Sequence, residues 1–160
     1  MMPPMSTMPP DSSLSRFLPY RLSLASNAVS NRIAAEYRQR WRLSVPEWRV
    51  MAILGDAGAV TQRDLARLTL MDKVAVNRAC KGLEARGLAQ RAPNRSDGRS
   101  HLLDLTDEGR ATHAEIMPLA LTIERRLFDG FTEEELDLFR SLLSRAHMRA
   151  QGLGPGDLDG

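Results

Sequence analysis

The sequence predicts a mainly α-helical protein with one two-stranded β-hairpin in its middle. Three observations predict it. Several segments repeat apolar residues every three or four positions. Cap and glycine signals open and close them. Two short apolar runs, "LAQRA" and "SHLLDL", flank a polar loop, the pattern of a hairpin.

The first long helix is expected from Leu18 to Trp41, with Pro19 near its start, where a missing N–H costs nothing. Leu22, Ala25, Val29, Ile33, Tyr37 and Trp41 form one stripe, and Leu24, Ala28 and Ala35 widen it. So broad an apolar surface predicts burial on more than one side. "SVPEWRVMAILGDAG" begins with a Ser44/Glu47 capping box. Trp48, Met51, Ala52 and Leu54 are expected inside, and Gly55 and Gly58 are expected to stop that helix. Thr61 caps a third helix that packs on Leu65 and Leu68. Asp72 caps a fourth, which packs on Val76, Ala79 or Cys80, and Leu83 and ends at Gly87. Two short helices joined through three or four residues around Leu70 are a helix-turn-helix.

After the hairpin, Thr106 caps a long helix reaching about Leu127, with Leu119, Ala120, Ile123 and Leu127 on one face and an expected kink at Pro118. A Thr132/Glu135 capping box opens the last helix, whose stripe is Leu136, Phe139, Leu142 or Leu143, and Ala146. The ends, "MMPPMSTMPPDSS" and "QGLGPGDLDG", read as disordered tails.

Composition narrows the function. The chain has 160 residues, 42% apolar and 26% charged, an ordinary globular balance. No run of about 18 apolar residues marks a membrane span. The start lacks the basic and apolar regions of a signal peptide. A single cysteine, Cys80, rules out an intrachain disulfide, so a cytoplasmic location is expected. The net charge of +2 conceals a polarity: residues 61–101 hold nine Lys/Arg against four Asp/Glu, whereas residues 102–160 hold six against twelve. A basic middle beside an acidic end predicts one face for a polyanion.

The helix opened by Asp72 buries one face and presents Lys73, Val74, Asn77, Arg78 and Lys81 on the other. Such a helix fits the DNA major groove, where Arg and Lys pair with guanine, Asn with adenine, and Val touches a thymine methyl. An ordinary solvated helix would carry lysines and arginines too. The hairpin loop "RAPNRSDGRSHLLDL" shifts the balance. Asp97-Gly98 would suit a plain tight turn with positive φ. A plain tip, however, has no use for Arg91, Arg95 and Arg99. Beside a reading helix, Arg99 would enter the minor groove, Asp97 would pair with it, and Arg91 and Arg95 would meet phosphates.

Together "LSVPEWRVMAIL", "VTQRDLARLTLMDKVAVNRACKGLEARGL", the Asp97-Gly98-Arg99 tip and "LTDEGR" resemble the MarR family of bacterial transcription regulators over about residues 18–148. The resemblance implies a winged helix-turn-helix embedded in a helical frame. It also implies a homodimer in which the first and last two helices of each chain intertwine. Asp97 and Arg99 then belong to the wing, and Lys73 to Lys81 to the reading helix. Asp-Gly-Arg has a smaller middle residue than the commoner family tip. The division expected is a tail at 1–13, a helical dimerisation region at 14–43 and 106–150, a winged DNA-binding domain at 44–105, and a tail at 151–160. Two apolar C-terminal helices and the broad first helix also argue for a dimer, because one small core cannot absorb them. Two reading helices ~34 Å apart predict a pseudo-palindromic operator.

Family likeness further implies a small aromatic or anionic effector between the dimer helices and the winged region. Ser23, Asn27, Trp48 and Arg49 are the candidates to line such a cleft, Arg49 meeting a carboxylate. Core packing for Trp48 and a surface ion pair for Arg49 are the competing readings. Relatives that sense peroxide carry their cysteine near the start of the first helix, so Cys80 is expected to be packing. His101, His113 and His147 are too widely spaced for a metal site, and no cofactor is expected. No phosphate loop, nucleophile elbow or acid/base pair points to an enzyme. The expected function is sequence-specific DNA binding by a transcription regulator, a repressor by preference. The alternative is a winged-helix module that binds an acidic protein.

Overall fold

The computed structural model describes residues 13–157. The N-terminal tail expected at 1–13 lies outside the described residues except for Ser13, and residues 158–160 also lie outside them. In chain order the elements are α1 (Ser13–Arg16), α2 (Leu18–Trp41), α3 (Val45–Ala57), β1 (Val60–Thr61), α4 (Gln62–Thr69), α5 (Lys73–Ala85), β2 (Ala89–Pro93), β3 (His101–Leu105), α6 (Asp107–Leu127) and α7 (Glu133–Gly152). They form two compact units, one ending at Ile123 and one beginning at Glu124. Among the described residues no helix is long and apolar enough to cross a membrane.

The capping signals act as the sequence predicts. Ser44 Oγ accepts the Glu47 N–H while Glu47 accepts the Ser44 N–H, and Thr132 and Glu135 repeat the exchange on α7. Each box satisfies two helix-end donors that would otherwise have no partner. Thr61 and Asp72 cap α4 and α5 through the N–H groups of Asp64 and Ala75. Gly55 does not end α3, which continues to Ala57, and Gly58 closes it. One glycine inside a helix weakens it by about 1 kcal/mol without breaking it. α6 runs through Pro118 as one helix.

The first unit holds the core. Met51 and Leu54 of α3, Leu65 of α4, Val76, Cys80 and Leu83 of α5, and Leu103 and Leu105 of β3 are buried together with Tyr37 and Ile116. Burial pushes the Tyr37 phenol up to about 12. Leu68, expected inside, is exposed. Its neighbour Thr69 is buried instead and donates its hydroxyl to the Leu65 carbonyl. That bond lets a hydroxyl take an inner place at no polar cost.

The expected two-stranded hairpin is the outer part of a three-stranded antiparallel sheet in the order β1-β3-β2. β1 pairs Val60 with Leu103 and Thr61 with Leu102; β2 pairs Arg91 with Leu103 and Pro93 with His101. A two-residue strand has no readable alternation of its own, and only the long-range partner reveals it.

Of the expected α2 stripe only Tyr37, near the C-terminal end, is buried; Ala34, outside the stripe, is buried as well, while Leu18, Leu22 and Leu24 are exposed. In the second unit Phe128 packs against Phe131 and Phe139 at 5.5 and 6.0 Å between ring centres. No residue of α7 is buried.

Candidate nucleic-acid interface

Helix α5, expected to read bases, is fixed from its N-terminus. The Asp72 carboxylate accepts the Ala75 N–H at 2.8 Å, a cap contributing ~1 kcal/mol. Val76, Ala79, Cys80 and Leu83 anchor one face in the core, which turns Lys73, Val74, Arg78 and Lys81 to solvent. Val74 is 66% exposed, an apolar side chain displayed among cations. Asn77 lies half-buried at the edge between the two faces, and its Oδ1 accepts from Gln62 Nε2 at 3.4 Å.

The tip is not a two-residue turn. Residues 94–100 form a longer loop of two successive turns, with Asp97 N–H donating to the Asn94 carbonyl and Ser100 N–H to that of Asp97. Asn94 closes its base through Ser100, donating from Nδ2 to Ser100 Oγ at 3.0 Å. Gly98 is not among the residues with positive φ, which corrects the tight-turn reading. Asp97 does hold Arg99, but by its backbone: Oδ1 accepts the Arg99 N–H at 3.0 Å. The guanidinium pairs with no carboxylate among the described residues. Arg95 is exposed in the same way.

Arg91 is the exception among the wing cations. Its Nε meets Glu84 Oε1 at 2.7 Å and ties β2 to α5. The reading helix and the wing are thereby held to each other by a charge-assisted bond as well as by packing. On the other side of the sheet, β1 joins the root of the wing to the start of α4. Arg91, Arg99 and His101 consequently surround a depression of about 240 Å³ with Thr61, Gln62, Arg63 and Ser100. Among the described residues no carboxylate lines it, although Glu84 pairs with Arg91 beside it.

Gln62 and Arg63 belong to this head yet carried no signal of their own in the sequence, and Arg86 entered only as part of a family-like motif. Arg86, at the end of α5, donates to the carbonyls of Trp41 and Arg42 at 2.7 and 3.2 Å. It therefore caps α2 while holding the reading helix against it. Its motif, "LEARGL", was visible; its partners, more than forty residues earlier, were not.

The four candidate effector residues do not meet within one chain. Trp48 packs tilted against Tyr37 at 4.7 Å and stacks on His113 at 6.0 Å between ring centres, so it flanks the core. Ser23 and Asn27 are exposed on α2, ~21 and ~15 Å of helix rise before Tyr37. Arg49 is exposed. Cys80 is buried, and burial raises its thiol pKa, disfavouring the reactive thiolate. Among the described residues no group of His, Cys, Asp and Glu is gathered to hold a metal ion.

A helix-turn-helix sewn to a β wing, with cations on both, defines a winged-helix DNA-binding protein. A family model described as the MarR family matches residues 43–100. The chain is similar to the HTH-type transcriptional regulator YwoH of Bacillus subtilis, 27% identical over 131 residues that cover 82% of this chain and 94% of YwoH. Among solved structures it is similar to the MarR family transcriptional regulator SPO1453 of Silicibacter pomeroyi, 33% identical with a TM-score of 0.72, covering 85% of this chain and 99% of that one. It is similar also to BpsR of Bordetella bronchiseptica, whose DNA binding is described as regulated by 6-hydroxynicotinic acid. There the identity is 26%, the TM-score 0.67, and the coverage 79% of this chain and 98% of BpsR. The protein belongs to the MarR family. It is a DNA-binding transcription regulator and not an enzyme.

Proposed function

We propose that the protein is a repressor that binds a pseudo-palindromic operator as a homodimer in the cytoplasm and is released from it by a small aromatic or anionic effector. The observation that carries the DNA reading is the carboxylate-free depression where Arg63 of the helix-turn-helix meets Arg91 and Arg99 of the wing. Arg63 and Arg99, with Arg91 held beside them by Glu84, suit a phosphate backbone better than a protein surface. Residues 44–105 form the reading part. Lys73, Val74, Asn77, Arg78 and Lys81 face base edges, Arg95 meets phosphate, and Arg99 enters the minor groove.

Homodimerisation through residues 14–43 and 106–150 is supported by the apolar face that each unit leaves exposed. Leu18, Leu22 and Leu24 lie in the first; Leu138, Phe139 and Leu142 lie in the second. At ~25 cal/mol per Å² of apolar surface, covering them is worth several kcal/mol. Effector release is supported by the BpsR likeness. Because Ser23 and Asn27 stand far along α2 from Trp48, a cleft using all four candidates would need the partner copy. An effector that alters the spacing of the two heads needs only ~1–3 kcal/mol of preference for the released state.

The test is a footprint on DNA beside the protein's own gene, followed by Arg99→Ala on the protected duplex. The variant is expected to lose operator affinity at least tenfold while remaining dimeric. Wild-type affinity in the variant would remove the wing from the interface.

A further inference from the structure

Asn77 reaches the DNA side of α5 with one end of its amide already engaged. We infer that Gln62 is a specificity-determining residue: it holds the Oδ1 of Asn77 toward α4 and turns the Nδ2 group outward, so that Asn77 reads bases as a hydrogen-bond donor. The inference rests on α5 being the base-reading helix.

The two ends of an Asn amide are chemically opposite, Oδ1 accepting and Nδ2 donating. Reading adenine bidentately requires both ends in one plane, facing one base, with Oδ1 accepting from N6 and Nδ2 donating to N7. Gln62 Nε2 donates to Asn77 Oδ1 at 3.4 Å, so the accepting end points to a neighbouring helix. The donating end then favours guanine, which offers both O6 and N7, and thymine O4, over adenine, whose one acceptor N7 stands beside the N6 donor.

Gln62 is itself well placed to impose that choice. It is the first residue of α4, directly after a cap in which Thr61 Oγ1 accepts the Asp64 N–H at 3.1 Å. β1 pairing with β3 fixes the same point from the sheet side. Asn77 stands one turn before the buried Cys80, on the edge of α5 that faces the core. A backbone fixed by the cap and by the sheet brings the Gln62 amide to Asn77 from one side. Gln62 also lines the arginine depression, which puts it between the helix that reads bases and the wing.

The test uses the full chain and selection from randomised duplexes, comparing wild type with Asn77→Ala, Gln62→Met and Gln62→Glu. Thermal unfolding of each variant confirms that it is folded. Asn77→Ala should flatten one position in each half-site, where the wild type prefers guanine or thymine. Gln62→Met keeps a side chain of similar length without a donor. It frees Oδ1 and should move that same position toward adenine by about 5- to 10-fold. Gln62→Glu accepts from the Asn77 amide, reverses it, and should favour adenine or cytosine there. Gln62→Met should leave the salt dependence unaltered, because no phosphate contact is lost, whereas Gln62→Glu adds a carboxylate to the arginine depression and should lower the salt slope. Unchanged preference in both Gln62 variants, at the position that Asn77→Ala flattens, overturns the inference alone. An Asn77→Ala profile identical to wild type overturns it together with the base-reading role of α5.

Discussion

The winged head and the last helix are written in the same binary pattern, and they come to opposite ends. In the head, Leu65, Val76, Cys80, Leu83 and Leu103 are all essentially inaccessible. Along α7, Phe139, Leu142 and Leu143 recur at the same helical spacing, and every one of them is exposed. The pattern states that a face is apolar; it does not state which surface covers it. Helices α3, α4 and α5 and the sheet complete each other within one chain, whereas α7 and the N-terminal half of α2 carry faces that one chain leaves open.

The most severe way to break this contrast is to charge the open face. Phe139→Glu with Leu142→Glu is expected to give a monomer in sedimentation. Losing the second reading head should lower operator affinity by about 10²–10⁴-fold, with the Trp48 fluorescence of the head unchanged. A variant that stays dimeric would show that α7 is not the covered surface.

A second test strikes the closed region. Gly109 sits in the first turn of α6, where a Cβ would run into the carbonyl oxygen of Leu88. Thr106 fastens that turn, accepting the Gly109 N–H while donating to the Gly87 carbonyl. Gly109→Ala should destabilise the head by ~2–3 kcal/mol in urea unfolding, without touching α7. An unshifted midpoint would mean that the junction is loosely packed.

The mildest test is at the wing tip. Gly98 has no positive φ, and a Cβ there meets nothing. Gly98→Ala should leave DNA binding intact and change stability by no more than ~0.4–1 kcal/mol, toward greater stability. A large loss of either would show that the tip depends on a conformation only glycine reaches.

Much of the head was legible in the sequence because its signals are local. Caps at Ser44, Thr61 and Asp72 each act within three residues. The "LTDEGR" motif is legible for the same reason: Leu105 is buried, Thr106 caps, and Arg110 returns to Asp104 at 2.9 Å. The site was legible as a set of cations and less so as an arrangement. Arg91, read as a phosphate ligand, is held by Glu84. Asp97 engages the Arg99 backbone and not its side chain. Gln62 and Arg63 were overlooked because their importance comes from what stands beside them.

Periodicity, caps and the clustering of arginines are properties of neighbouring residues, so the order of helices, the hairpin and the basic middle follow from the chain as written. Pairing β1 with β3, setting Gln62 against Asn77 and closing Arg86 onto the end of α2 join residues 15 to 45 positions apart. No local energy term distinguishes those partners from others. They are chosen when the whole core closes at once, and only the folded molecule displays the choice.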